Sequence, residues 1–63
     1  MKLEVGKRVK IIGDPGVGTE QFHGQLGTIV AVDLRDCQVD VDDELFNPWW
    51  IWNHNMVEPD AEI

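Results

Sequence analysis

The sequence predicts an all-β protein, a single five-stranded sheet curled into a small barrel, and three observations carry that prediction. Val and Ile together number 13 against two Ala, a bias toward β-branched side chains that pack well on a pleated surface. Short apolar stretches alternate with period two between clusters of Gly, Pro, Asn and Asp, the pattern of strands and turns. No stretch sustains a helical period. A chain of 63 residues has room for one domain, residues 1–63, and not for a second lobe or a deep cleft, which argues against most enzymes.

The elements follow in order. From Leu3 to Ile11 the odd positions are Leu3, Val5, Lys7, Val9 and Ile11 while the even ones include Glu4, Arg8 and Lys10, a near period-two pattern that predicts a first strand with a basic outer face. Gly13-Asp14-Pro15-Gly16-Val17-Gly18 breaks any regular element, and the breakers run on to Gly24, giving a long loop after that strand. Leu26 to Asp33 reads as a second strand, apolar on both faces and hence strongly bent. Leu34-Arg35-Asp36 is a turn. Cys37 to Val41 alternates cleanly, with Cys37, Val39 and Val41 inward and Gln38 and Asp40 outward. Asp42 to Pro48 is an acidic turn leading into a fourth strand, Trp49-Trp50-Ile51-Trp52. Asn53-His54-Asn55 forms one helical turn before a closing strand from Met56 to Glu58, which Pro59 stops.

A core this small needs large side chains, and four of the five aromatics lie between Phe46 and Trp52, so that cluster is expected to be indispensable. Along the fourth strand Trp49 and Ile51 face one way, Trp50 and Trp52 the other, and one sheet has one dry interior. The tail from Trp50 to Pro59 resembles the end of an SH3-type barrel, and that resemblance puts Trp52 and Val57 inward, with Trp50 inward by alternation, leaving Trp49, Ile51 and Met56 outside. Two fates for Trp49 are open: a surface binding anchor, or a satellite core beneath the long loop through Phe22.

Charge is divided along the chain. Residues 1–32 sum to +1 and residues 33–63 to −8, for a net charge of −7. The field repels phosphate backbones at long range. Single Cys37 closes no internal disulfide and suits a reducing cytoplasm. The N-terminus lacks a signal-peptide h-region, no run of 18 apolar residues exists, and the initial Met suits a free-standing small protein, so a cytoplasmic, non-membrane location is expected.

Two stretches resemble a known family. Val5-Gly6-Lys7-Arg8-Val9-Lys10-Ile11 followed by Gly24-Gln25-Leu26-Gly27-Thr28-Ile29-Val30-Ala31-Val32 resembles the KOW pattern, and Trp50 to Pro59 resembles the end of an SH3-type barrel. The resemblance spans nearly the whole chain and implies an SH3-like barrel, closest in character to short stand-alone phage or prophage proteins. Gly24 and Gly27 flank the entry to the second strand, where a turn needs positive φ or a close backbone approach. The acidic charge departs from nucleic-acid-binding KOW domains. The absence of Tyr departs from SH3 domains that bind proline-rich peptides.

Other motifs carry less. Gly13 to Thr19 is spelled like a phosphate-binding loop but lacks its Lys. Asp40, Asp42, Asp43 and Glu44 gather four carboxylates at spacings that fit no EF-hand, so they read as a solvated acidic surface. His23, His54 and Cys37 have no zinc spacing, and no cofactor or catalytic group is implied. Lys7, Arg8 and Lys10 form the one basic cluster, the basis of a rival reading as an RNA- or ribosome-associated domain; a bland alternative pairs them with neighbouring acids. The expected function is a non-catalytic protein-binding module. Trp49, Ile51, Met56 and Phe22 would form its apolar contact, covered by a partner or a second copy, and Asp40, Asp42, Asp43 and Glu44 would select a basic partner surface. A third reading makes those acids a mimic of nucleic acid that occupies a DNA-binding protein.

Overall fold

A computed structural model describes residues 1–13 and 20–62. Five strands form one antiparallel sheet: β1 (Arg8–Ile11), β2 (Leu26–Val32), β3 (Asp36–Val41), β4 (Trp49–Trp52) and β5 (Met56–Val57), with single 3-10 turns η1 (Glu20–Phe22) and η2 (Asn53–Asn55). The class is all-β, as predicted, and the strand order is β4-β3-β2-β1-β5. Each hairpin neighbour pairs with the next, and β5 returns to β1. No ladder joins β4 to β5 among the described residues, so the sheet keeps two edges where a closed barrel was expected.

Strand β1 is shorter than its alternation predicts. Gly6 takes φ +91°, and Lys7 N–H donates to Glu4 O at 3.1 Å, which makes residues 4–7 a turn and leaves Val5 in solvent. Beyond it Val9 and Ile11 enter the core while Arg8 and Lys10 face out. Strand β2 carries a register shift between Ile29 and Ala31, an irregularity of the kind that bends a strand, yet its second apolar face stays in solvent, with Val30 44% and Val32 47% exposed. Both glycine expectations hold. Gly24 has φ +86°, and a Cβ on Gly27 would lie 2.6 Å from Val39 Cγ1 and 2.9 Å from Asp40 O. The glycine-rich stretch read as a misleading phosphate loop lies, from residue 14 to 19, outside the described residues.

The core is aliphatic rather than indole-built. Val9, Ile11, Phe22, Ile29, Cys37, Val39, Val41, Ile51 and Met56 are buried, with Leu3 and Trp49 packed against them. Cys37, Val39 and Val41 point inward as their alternation requires. The expectation that the aromatic run from Phe46 to Trp52 forms the core is corrected: Phe46 is 75% exposed, and Trp50 and Trp52 lie largely outside. Phe46 sits in the β3–β4 loop, whose chain path the Asn47 side chain fixes. That amide accepts from Val41 N–H at 2.8 Å and donates to Val41 O and Glu44 O at 3.1 and 2.9 Å. It takes the place of a strand neighbour for Val41, so the loop is held with Phe46 outside.

Candidate binding face on the tryptophan strand

Strand β4 is placed by β3. Val39 stands opposite Trp49, Gln38 opposite Trp50, Cys37 opposite Ile51 and Asp36 opposite Trp52, and residues directly opposite share a sheet face. Because Cys37 and Val39 are inward, Ile51 is inward, and Trp50 and Trp52 are outward at 47% and 49% exposure. The expected parity is therefore inverted. Of the residues predicted to make the contact surface, Ile51, Met56 and Phe22 are core residues. Trp49 is half-buried and packs on Phe22 with ring centroids 5.0 Å apart and an interplanar angle of 59°. Trp49 is thus covered rather than free, but against the main core and not a satellite one, since Phe22, carried by η1, is itself a core residue.

The two outward indoles have a framed neighbourhood. Asp33 N–H donates to Asp36 O at 2.9 Å, closing a turn whose tip is Leu34-Arg35. Asp33 Oδ1 accepts from Leu34 N–H at 2.7 Å and stiffens it. Asn53 fastens that turn to the end of β4: its backbone N–H donates to Arg35 O at 2.9 Å and its Nδ2 to Leu34 O at 3.2 Å. Between them lies a half-open cleft of about 490 Å³ lined by Leu34, Arg35, Asp36, Trp52, Asn53 and His54. Trp52 meets His54 edge-to-face at 5.2 Å, and His54 sits in η2, the helical turn expected for it. This cleft offers an apolar wall, an amide and one charge of each sign, a chemistry for holding a side chain.

Nothing nucleophilic opens on it. Cys37 is fully buried, its Sγ donates to Asn53 Oδ1 at 3.3 Å, and burial pushes the thiol pKa up, so it stays a protonated packing residue. His23 lies in the long loop, where its Nδ1 accepts from Gly13 N–H at 3.2 Å. Among the described residues no group of His, Cys, Asp and Glu is arranged to hold a metal ion.

The charged clusters resolve differently. Lys7 Nζ donates to Glu58 Oε2 at 3.0 Å and Lys10 Nζ to the Ala61 carbonyl at 2.7 Å. Arg8 makes a two-pronged pair with Asp42 at 2.8 and 2.6 Å and also donates to Thr28 Oγ1 at 2.9 Å. The Asp42 bonds hold the Arg8 pKa above its ordinary value, and the same bonds hold Asp42 below its own. Lys7 and Arg8 thus take the bland arrangement weighed above, each paired with an acid, whereas Lys10 is held by a backbone carbonyl. Asp42 is drawn away from the acidic surface toward Arg8, whereas Asp40 and Asp43 are exposed and Glu44 is half-buried.

Sequence reasoning missed Trp50, Trp52 and the 34–36 turn as a common surface, and it missed Leu45 and Phe46 as exposed loop residues. No local signal gives the outward facing of Trp50 and Trp52, which depends on how β3 and β4 register, whereas Leu34, Leu45 and Phe46 lie in stretches the sequence already marks as turns. Among the described residues no helix is long and apolar enough to cross a membrane. No family model, no curated protein and no solved structure matches the chain.

Proposed function

We propose that the chain is a non-catalytic protein-binding module whose contact surface is the outer face of β4, Trp50 and Trp52, together with the cleft at the 34–36 turn. The observation that carries this reading is the half-exposure of two adjacent outward indoles on one rigid sheet face. Trp is costly to leave in water and is a frequent anchor of interfaces. On the same face β3 presents Asp36 beside Trp52, and Asp40 one outward position beyond Gln38. With a net charge of −7, the partner this surface suits is basic. The SH3-like resemblance belongs with this reading: the element order it implies, including a helical turn before the last strand, matches the order of the fold. A cytoplasmic setting goes with the single thiol.

The RNA-associated reading draws less support, because each of Lys7, Arg8 and Lys10 has an internal acceptor. Capture from nuclease-treated and untreated cytoplasmic extract, by the natural chain and by a Trp50→Thr/Trp52→Thr variant, tests the two. The expected outcome is a protein retained by the natural chain regardless of nuclease, released by raised salt and lost with the variant. Identical retention by both chains, or retention abolished by nuclease, would refute the proposal.

A further inference from the structure

Strand β4 is an edge strand, and its register fixes which of its backbone groups are free. The Asn53 N–H to Arg35 O bond makes these two a hydrogen-bonded pair in continuation of the β3–β4 ladder. In an antiparallel ladder such pairs alternate with pairs whose N–H and C=O groups point away from each other. Ile51 with Cys37 and Trp49 with Val39 are therefore bonded pairs, and the backbone groups of Trp50 and Trp52 turn to the open side. The Trp52 carbonyl belongs to the first turn of η2, for which Trp52 is the N-cap. Left over are the N–H and C=O of Trp50 and the N–H of Trp52, and among the described residues no strand lies beside them.

These free groups belong to the same two residues that project their indoles outward. Within Trp49–Trp52 there is no charge, Pro or bulge, the usual devices that keep an edge from pairing. Resting on the protein-binding reading, we propose that an extended cationic segment of a partner protein adds antiparallel to β4, with Lys or Arg side chains beside Trp50 and Trp52. Charge selects this occupant. A second copy would bring a further −7 and its own Asp36 and Asp40 to the contact. A cationic side chain opposite either indole instead gains a cation–π contact, and the one opposite Trp52 has the Asp36 carboxylate one strand further in. The register also sets the pattern of the segment. Residues opposite Trp50 and Trp52 share the outer face and aim their own N–H groups at β4. Their neighbours point to the inner side, beside Trp49 and Ile51, where apolar residues fit. The occupant alternates cationic and apolar.

An acetylated, amidated eight-residue peptide of alternating Lys and Val is the probe, with three controls: N-methyl on every Lys, N-methyl on every Val, and Glu in place of Lys. Binding is read by indole fluorescence and by amide hydrogen exchange resolved by NMR. The expected result is exchange slowed at least tenfold at the Trp50 and Trp52 amides. Affinity should fall at least tenfold on Lys N-methylation, fall less than threefold on Val N-methylation, and vanish with Glu. Equal binding by both N-methylated peptides, still weakened by Trp50→Thr, would overturn strand addition while leaving the outer face as the contact. No binding by the Lys peptide, or binding indifferent to both Trp50→Thr and Trp52→Thr, would overturn the mode and the contact surface together. Protection of both amides in the peptide-free protein, with a dimer in sedimentation, would assign the edge to a second copy and also overturn the proposal.

Discussion

Strand β4 is apolar on both faces, so its orientation is open to a direct contest between neighbours: Ile51→Thr against Trp50→Thr. Thr is β-branched and favoured in strands, so neither substitution costs strand propensity, and Trp50→Thr removes by far the larger side chain, which makes the contest a stringent one. Ile51 has no exposed surface. Replacing it removes buried methyl groups and installs a hydroxyl in an interior of Cys37, Val39 and other apolar side chains, a loss of about 2–4 kcal/mol. A chain of this length has a total stability of roughly 3–9 kcal/mol, so the variant is expected to be largely unfolded in mild urea. Trp50 already has about half its surface in water, and its loss should cost about 1 kcal/mol. Urea unfolding followed by far-UV circular dichroism gives both midpoints, and unchanged slopes would confirm that stability alone has shifted. A Trp50→Thr protein less stable than Ile51→Thr would refute the inward placement of Ile51, and with it the binding face.

Two further outcomes follow from the packing and the charges. Gly27→Ala forces a Cβ to 2.6 Å from the fully buried Val39 Cγ1 and 2.9 Å from the Asp40 carbonyl. Overpacking there should outweigh the gain in chain entropy and cost about 1–2 kcal/mol, seen as a Tm lowered by roughly 4–16 °C; an unchanged or raised Tm would show that β2 and β3 are less close than they stand. On acidification, Asp42 has a folded pKa below its unfolded value, so its contribution is present above about pH 4 and fades as pH falls through the folded pKa. Arg8→Gln should flatten that acid limb in pH-dependent unfolding. Cys37 has a raised folded pKa, so stability should fall above about pH 8.5, where the unfolded thiol ionises first, and Cys37→Ser or Cys37→Ala should remove that alkaline fall.

The legible part of the fold is the part that is local. The alternation of Cys37, Val39 and Val41 set the inward face of β3 because Gln38 and Asp40 between them are polar. The irregular β2, with its register shift between Ile29 and Ala31, was signalled by apolar residues on both its faces, of which the outer pair Val30 and Val32 stays exposed. The strand from Leu3 was overextended because alternation does not reveal that Gly6 turns the chain at positive φ. The candidate site was less legible. Trp49-Trp50-Ile51-Trp52 is apolar on either face, so its pattern carries no parity of its own, and a one-residue slip exchanges the faces.

By itself the sequence determined the all-β class, the five strands and their order of appearance, the single thiol inside, and an acidic second half. It also determined that two of four bulky neighbours in β4 must lie outside, since a strand sends alternate side chains to opposite faces. Only the tertiary structure decided that those two are Trp50 and Trp52, by setting Ile51 opposite Cys37, and that Lys7, Arg8 and Lys10 are answered from distant parts of the chain. Both depend on which strands lie side by side and in what register, a contact between residues far apart in the chain that no local pattern of side chains encodes.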